Sequence, residues 1–286
     1  MNILPLHFYV NKVILYSMIK SKGDSGQSVV IGALLLLALF VAFISWFQIT
    51  QVPILNQNAE AENNEMIRTE MFEFQEKSYD SILNDNVNQI SFQTKVDYDY
   101  QISGFQDKIG QFSVTEFNDP ITVTGANNTS IGGLPSNMTS LKYTPSYIER
   151  TEIPFIYENG ILIENQTTTR LDKGGQRFIR GNNIYMFEFE TNFVALQSPR
   201  IVFFTVPDED LQETIITGAN NDENGQQNIT IKLDTNLSED IWKRLLRNQE
   251  HVEEVEEVSD NGGSISITLN GTEEYKVSTG KAIIEQ

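Results

Sequence analysis

Ser25 lies in the tetrapeptide Gly23-Asp24-Ser25-Gly26, a setting in which serine acts as a nucleophile. An activated serine needs a general base and an orienting acid brought to it by a folded domain. The chain holds two histidines, His7 and His251, and Ser25 abuts a long apolar run instead of a domain. The tetrapeptide is therefore read as incidental. With no cysteine and two histidines, the usual zinc and iron ligand sets are missing. Asn220-Asn221-Asp222-Glu223-Asn224-Gly225 has the oxygen donors and glycine of a calcium-binding turn. Counting Asn220 as its first position, however, puts Ile231 where a bidentate Glu is required. It is read as a solvated loop, and Val206-Pro207-Asp208-Glu209-Asp210 as a turn. No glycine-rich phosphate loop occurs, and a net charge of −19 disfavours nucleic acid, which is captured by basic patches. The expectation is a non-enzyme with no cofactor, no metal and no nucleic-acid partner.

Asparagine is where covalent chemistry is expected. Asn-x-Ser/Thr triplets occur at Asn127, Asn128, Asn137, Asn165, Asn228, Asn236 and Asn270, and all of them follow the apolar run. They are glycosylation candidates, with Asn127, Asn128 and Asn137, in a loop by their composition, the foremost.

The apolar run is Val29 to Phe47, nineteen residues without a charge, and no ionisable side chain lies between Asp24 and Glu60. At about 1.5 Å per residue it spans roughly 28 Å as a helix, close to the ~30 Å hydrocarbon core of a bilayer. Lys12, Lys20 and Lys22 precede it against Asp24, and Glu60, Glu62 and Glu65 follow. Cationic flanks stay cytoplasmic, so the N-terminus is expected inside and the chain beyond about residue 52 outside. Residues 1–24 carry +2, which leaves −21 on the remainder of a chain whose net charge is −19. The acids are scattered and not gathered into ligand-like clusters, which favours a surface adapted to concentrated salt over a cation site. Disulfides are excluded although the large portion is expected to face outside; a domain of this size can bury enough core without them.

The small polar group Gly26-Gln27-Ser28 stands before the apolar core, and Val30-Ile31-Gly32 follows it. A secretory signal carries its small-residue cleavage site after the core instead. The arrangement resembles the leader of archaeal type IV pilins and archaellins, whose haloarchaeal members commonly read R-G-Q-S-E-V-I-G. Ser25 and Val29 depart from that pattern, standing in for its basic and acidic residues. The resemblance implies cutting between Gly26 and Gln27 by a prepilin-type peptidase, and pilin-like subunits as partners. Starting at Met18 would give the short charged leader MIKSKGDSG, so residues 1–17 are expected to be an upstream extension of the reading frame.

Pro53 interrupts the first helix, since it lacks an N–H. Beyond it Ile67, Met71, Phe74, Ser78 and Ile82 recur at helical spacing, which predicts an amphipathic helix to about Asn84. From about Ser91 the period becomes two. Strands are predicted over 95–102, 111–115, 121–124, 183–189, 200–206, 228–233 and 264–269, punctuated by Gly- and Asn-rich turns. Asn159-Gly160 between Ile156-Tyr157 and Ile161-Leu162-Ile163 predicts a type I′ hairpin. A late helix is predicted from Ser238, with Ile241, Trp242, Leu245 and Leu246 on one face, running on through His251 to Val258. Trp242 is read as core.

Leu141-Lys142-Tyr143-Thr144-Pro145-Ser146-Tyr147 and Tyr157-Glu158-Asn159-Gly160-Ile161-Leu162 resemble an L-x-Y-x-P-x-Y … Y-E-N-x-x-L signature. Uncharacterised haloarchaeal pilin-like secreted proteins carry it, and Leu237-Ser238 with Trp242 and Leu245-Leu246 resembles their later segment. That resemblance implies architecture and envelope location, and no activity. The expected fold is α+β: a leader (1–26), a transmembrane helix (27–52), an amphipathic stalk (53–90) and an antiparallel β-sandwich-like head (91–286). The expected function is a pilin-like envelope protein, with a non-polymerising single-pass surface protein as the alternative.

Overall fold

The computed structural model describes residues 7–98, 108–117, 121–126, 134, 139–164, 170–171, 175–190, 195–207, 214–221, 225–258 and 263–285. Helix α1 spans His7–Thr50 and α2 spans Val52–Asn84. There follow β1 (Asn88–Gln93), β2 (Gln111–Glu116), β3 (Thr122–Thr124), β4 (Thr139–Thr144), β5 (Phe155–Glu158) and β6 (Ile161–Glu164). Next come β7 (Arg170–Leu171), β8 (Ile179–Arg180), β9 (Asn183–Glu190), β10 (Ala195–Gln197), β11 (Arg200–Pro207) and β12 (Thr214–Thr217). The chain continues through β13 (Asn220–Asn221), β14 (Gly225–Gln226), β15 (Ile229–Asp234), α3 (Glu239–Leu246), β16 (Val252–Glu257), β17 (Ser264–Leu269) and β18 (Glu274–Glu285). This is the expected α+β class, one long apolar N-terminal helix and then a mostly antiparallel β-rich domain. Two compact units divide the chain, Met1–Asn56 and Gln57–Gln286.

In the first unit, a single turn residue, Gln51, separates the two helices, while Gln51 N still bonds Phe47 O and Leu55 N bonds Gln51 O. Pro53 falls in the first turn of α2, where a missing N–H costs no hydrogen bond.

In the second unit, three sheets surround two cores. One sheet has the order β1-β11-β18-β9-β8, with β12 also on β18; another runs β10-β2-β4-β5-β6-β7; the third runs β16-β17-β15-β3. The C-terminal strand β18 is central to its sheet and pairs with β9 in parallel, against the antiparallel habit of the other ladders. α2 supplies Ile67, Met71 and Phe74 to a core shared with Phe92, Phe112, Tyr157, Phe189 and Phe203 of the first two sheets. Ile82 of α2 lies over Gly280 of β18, where any Cβ would come within 2.6 Å of it.

The other core joins the third sheet and α3 to the far sides of the first two sheets. Hairpin β5–β6 is the wall between the cores. Phe155, Tyr157 and Leu162 face the α2 side, while Ile156, Ile161 and Ile163 face the α3 side. Its turn is the predicted two-residue type: Glu158 pairs with Ile161, and Asn159 (φ 48°) and Gly160 (φ 70°) are both left-handed.

Two expectations are corrected. α3 stops at Leu246, and residues 252–257 are strand β16, not helix. The three-residue spacing of Val252 and Val255 imitates a helix but arises from a β-bulge. Val252 faces Leu269 and Glu254 faces Thr268, so one extra residue returns Val255 to the inner side against Ile267. Near Lys95 the predicted strand is reduced to a lone bridge to Ile109 over the described residues 95–98; residues 99–102 lie outside them.

Candidate functional site

From Val29 to Phe47, α1 presents an apolar surface on every side. Leu34, Leu35, Leu36 and Leu37 are 59%, 61%, 70% and 58% exposed, and four consecutive helical positions cover the whole circumference. The helical run from Ser28 contains an 18-residue window of mean hydropathy 2.8, none of it buried. It is the one helix among the described residues long and apolar enough to cross a membrane. A helix that is apolar all round must be surrounded by something apolar. Its backbone groups are satisfied along the helix, and Thr50 Oγ1 donates to Trp46 O at 2.7 Å. Phe43 and Trp46 pair at 6.0 Å near its C-terminal end, where aromatic side chains suit a membrane–water boundary.

α2 presents polar groups inward as well as apolar ones. Glu60 is fully buried, and its carboxylate accepts from Ile148 N (2.6 Å), Glu149 N (3.1 Å), Arg150 N (2.8 Å) and Tyr98 OH (2.8 Å). Three successive backbone amides make a cradle for an anion, here filled by the chain's own side chain. One turn on, Tyr147 OH donates to Asn64 Oδ1 at 3.4 Å, and Asn63 Nδ2 donates to Lys95 O at 3.3 Å. Gln75 Nε2 donates to Gly160 O (2.8 Å) and Gly175 O (3.0 Å), fixing the hairpin turn against the helix. Arg68 bridges Glu65 at 2.8 Å and Glu164 of β6.

A second buried carboxyl sits on the α3 side. Glu158 Oε2 accepts from Asn236 N at 3.1 Å, with Thr235 and Ser140 close by, while Oε1 is buried with no hydrogen-bond partner among the described residues. Burial, only partly offset by these polar neighbours, pushes its pKa up to about 7. Thr235 Oγ1 in turn accepts from Leu237 N (3.0 Å) and from the indole Nε1 of Trp242 (2.9 Å). Trp242 is core, as expected, with its one polar atom satisfied.

The head signature therefore sits inside the molecule. Leu141, Tyr143, Tyr147, Tyr157, Glu158, Asn159 and Leu162 are buried, with Glu158 bonded to Asn236 N and the adjacent Thr235 bonded to Trp242. These residues hold helices to sheets and present nothing to a partner.

The other candidates are distributed as follows. Gly23 to Gly26 and Gln27 lie within helix α1, not in a loop. Asn127, Asn128, Asn137 and Asn165 lie outside the described residues. Asn228 precedes β15; its Nδ2 donates to Glu253 and its Oδ1 accepts from Gly271 N at 3.4 Å. Asn236 precedes α3, exposed, with its backbone N held by Glu158. Asn270 lies in the turn between β17 and β18. The ends of the calcium-like loop pair as hairpin β13–β14, Asn221 facing Gly225. Among the described residues no three histidine or carboxylate side chains gather as a metal would require. A furrow of about 590 Å³ runs between α3 and β16, with Glu239, Glu253, Glu254 and Glu256 against Lys243 and Arg247. Its charged walls differ from the mostly apolar pockets that hold small molecules.

The chain matches no protein-family model, no curated protein and no solved structure.

Sequence reasoning missed Glu60, although a signal existed. Seven residues before Ile67, two helical turns, it continues the stripe of Ile67, Met71, Phe74 and Ser78 backwards, and a polar residue on a core stripe asks for a buried partner. Thr235 carried no signal at all.

Proposed function

We propose that this protein is a pilin-like component of a cell envelope, held in the membrane or in a filament by α1 and displaying its acidic β-rich head outside the cell. The observation that carries this reading is the exposed apolar circumference of α1, uncharged from Val29 to Phe47. A bilayer covers such a surface, and so does a bundle of identical helices in a filament core. The Gly26-Gln27-Ser28 group before the apolar run adds the processing site that would convert one state into the other. The lysines before the run and the glutamates after it support a cytoplasmic leader and an external head. Partners are the membrane, further pilin-like subunits and a prepilin-type peptidase.

A second reading has a specific observation behind it. Ser25 and Val29 stand where the resembling leaders carry a basic and an acidic residue. A leader left uncut would keep α1 in the bilayer, and the protein would act as a single-pass surface protein whose head binds another envelope component.

The test is the N-terminal residue of the protein recovered from membranes and from sheared surface material. Gln27 in the sheared fraction supports filament assembly. Met18 or Met1, confined to membranes, replaces it with the anchored form.

A further inference from the structure

The chemistry that the envelope reading leaves unused is that of the Asn-x-Ser/Thr triplets, and the three described ones differ sharply in geometry. Asn228 has both ends of its side-chain amide engaged, Nδ2 with Glu253 and Oδ1 with Gly271 N. Its triplet then enters β15, which is paired on both sides, with β17 and with β3. Asn236 leads into Leu237, which is buried, and into the first turn of α3.

Asn270 is arranged differently. Its Oδ1 accepts from Thr272 N at 2.9 Å and from Thr272 Oγ1 at 2.8 Å, so the triplet closes on itself through the two donors of its own third residue. Its Nδ2 makes no hydrogen bond to any described residue. The backbone carbonyl of Asn270 accepts from Tyr275 OH at 3.0 Å, which pins the turn from below. Gly271 packs so closely on the Gln227 carbonyl that a Cβ would lie 1.8 Å from that oxygen, so the middle position of this turn requires glycine. Two donors on Oδ1 withdraw electron density from the amide and make the Nδ2 protons easier to remove. The nucleophilic nitrogen is the one polar atom of this side chain left without a partner among the described residues, on a turn where Asn270 is half-buried and Thr272 exposed.

We infer that Asn270 is a glycan attachment site, with a membrane-lipid-linked sugar phosphate as the donor and a separate membrane transferase as the catalyst. Nδ2 attacks C1 of the sugar, the N–C1 bond forms, and the C1–O bond to phosphate breaks. The lipid phosphate leaves with that electron pair, and the amide proton passes to a base on the transferase. This inference rests on the reading that the head lies outside the cell, where such donors are used.

Trypsin separates the three triplets: Asn228 falls in fragment 201–232, Asn236 in 233–243 and Asn270 in 248–276, one triplet to each. The experiment is mass spectrometry of these fragments from the full chain made in its own cells, beside external protease treatment of intact cells. The expected result is a glycan mass on 248–276, none on 201–232, loss of that mass in Thr272→Val and its retention in Thr272→Ser. Occupancy of Asn228 with Asn270 bare overturns the geometric basis. A bare 248–276 fragment on a head that external protease cuts overturns the site while leaving the location intact. A head protected from external protease removes the location and the site together.

Discussion

α1 and α2 follow one another along the chain, yet they solve opposite problems. From Val29 to Phe47, α1 has apolar side chains on all sides and exposes them. α2 carries acids and amides on much of its length and buries many of them, Glu60, Asn63, Asn64 and Gln75 among them. Helix propensity does not separate the two; the surroundings do. A helix with no polar face can be covered by hydrocarbon alone. A helix enclosed by β-strands must satisfy the loop amides and hairpin carbonyls that reach it, and polar side chains at core positions do so. The first helix is a surface awaiting an apolar environment, and the second is the central element of the head.

The largest test of that contrast removes each helix in turn. A chain beginning at Gln57 keeps all of α2 that lies in the second unit and is expected to unfold cooperatively. One beginning at Asn86 lacks Ile67, Met71 and Phe74 and is expected to show no thermal transition by circular dichroism. Leu36→Lys, by contrast, leaves the melting of the head unchanged. It puts a charge at the middle of the apolar run, at a cost of about 3 kcal/mol, and shifts the protein from the membrane to the soluble fraction. If the chain beginning at Asn86 melts like the longer one, α2 is a stalk and not a core element.

Phe74→Ala probes the same helix at one residue. The Phe74 ring lies within 5.0–6.1 Å of those of Phe92, Tyr157, Phe187, Phe189 and Phe203, which come from four different strands. Truncating a buried Phe costs roughly 3–5 kcal/mol. The loss is expected in full by urea unfolding of the chain beginning at Gln57, while Phe43→Ala in α1, outside that chain, leaves head stability unchanged in the full protein.

Next in size is an effect of pH. Glu158 is pushed up to about 7 in the folded protein, and its unfolded value is near 4.5. Between those values the folded state binds the extra proton, so the contribution is fully present below about pH 4.5 and is lost as pH rises to about 7. At about 1.4 kcal/mol per unit this amounts to about 3 kcal/mol. Glu70, also raised to about 7 by burial, acts with the same sign. Denaturant midpoints measured from pH 4.5 to 7.5 are expected to fall, and Glu158→Gln to flatten part of that fall. An unchanged slope in the variant would remove Glu158 from the account.

Much of the fold was legible in the sequence because local patterns and tertiary contacts agreed. The type I′ turn at Asn159-Gly160 needs two left-handed residues, and those two supply them. Ile67, Met71, Phe74 and Ser78 fall on one stripe, and all four are buried. Legibility failed where pairing partners decide the outcome. Val252-Glu253-Glu254-Val255 has helical spacing, and only the bulge opposite Thr268 and Leu269 makes it a strand. Of the functional features, the apolar circumference of α1 was plain from composition. The Glu158–Asn236 and Thr235–Trp242 bonds were not, because the first joins residues 78 apart in sequence and only the folded sheets bring them together.

Glu60→Gln gives the smallest effect and the finest test of how α2 is held. The glutamine keeps the length and one carbonyl oxygen but loses the charge and half the acceptors, while three amides and one hydroxyl still point at it. Hydrogen bonds to a charged group contribute about 1.5–3 kcal/mol, so a loss in the lower part of that range is expected from denaturant unfolding. Tyr98→Phe removes one donor and leaves the amide cradle filled, and should cost less. The two changes share one partner, so together they should cost less than the sum of the separate effects. Additive losses would mean that the Tyr98 hydroxyl contributes nothing through Glu60 and that the amides alone hold the carboxylate.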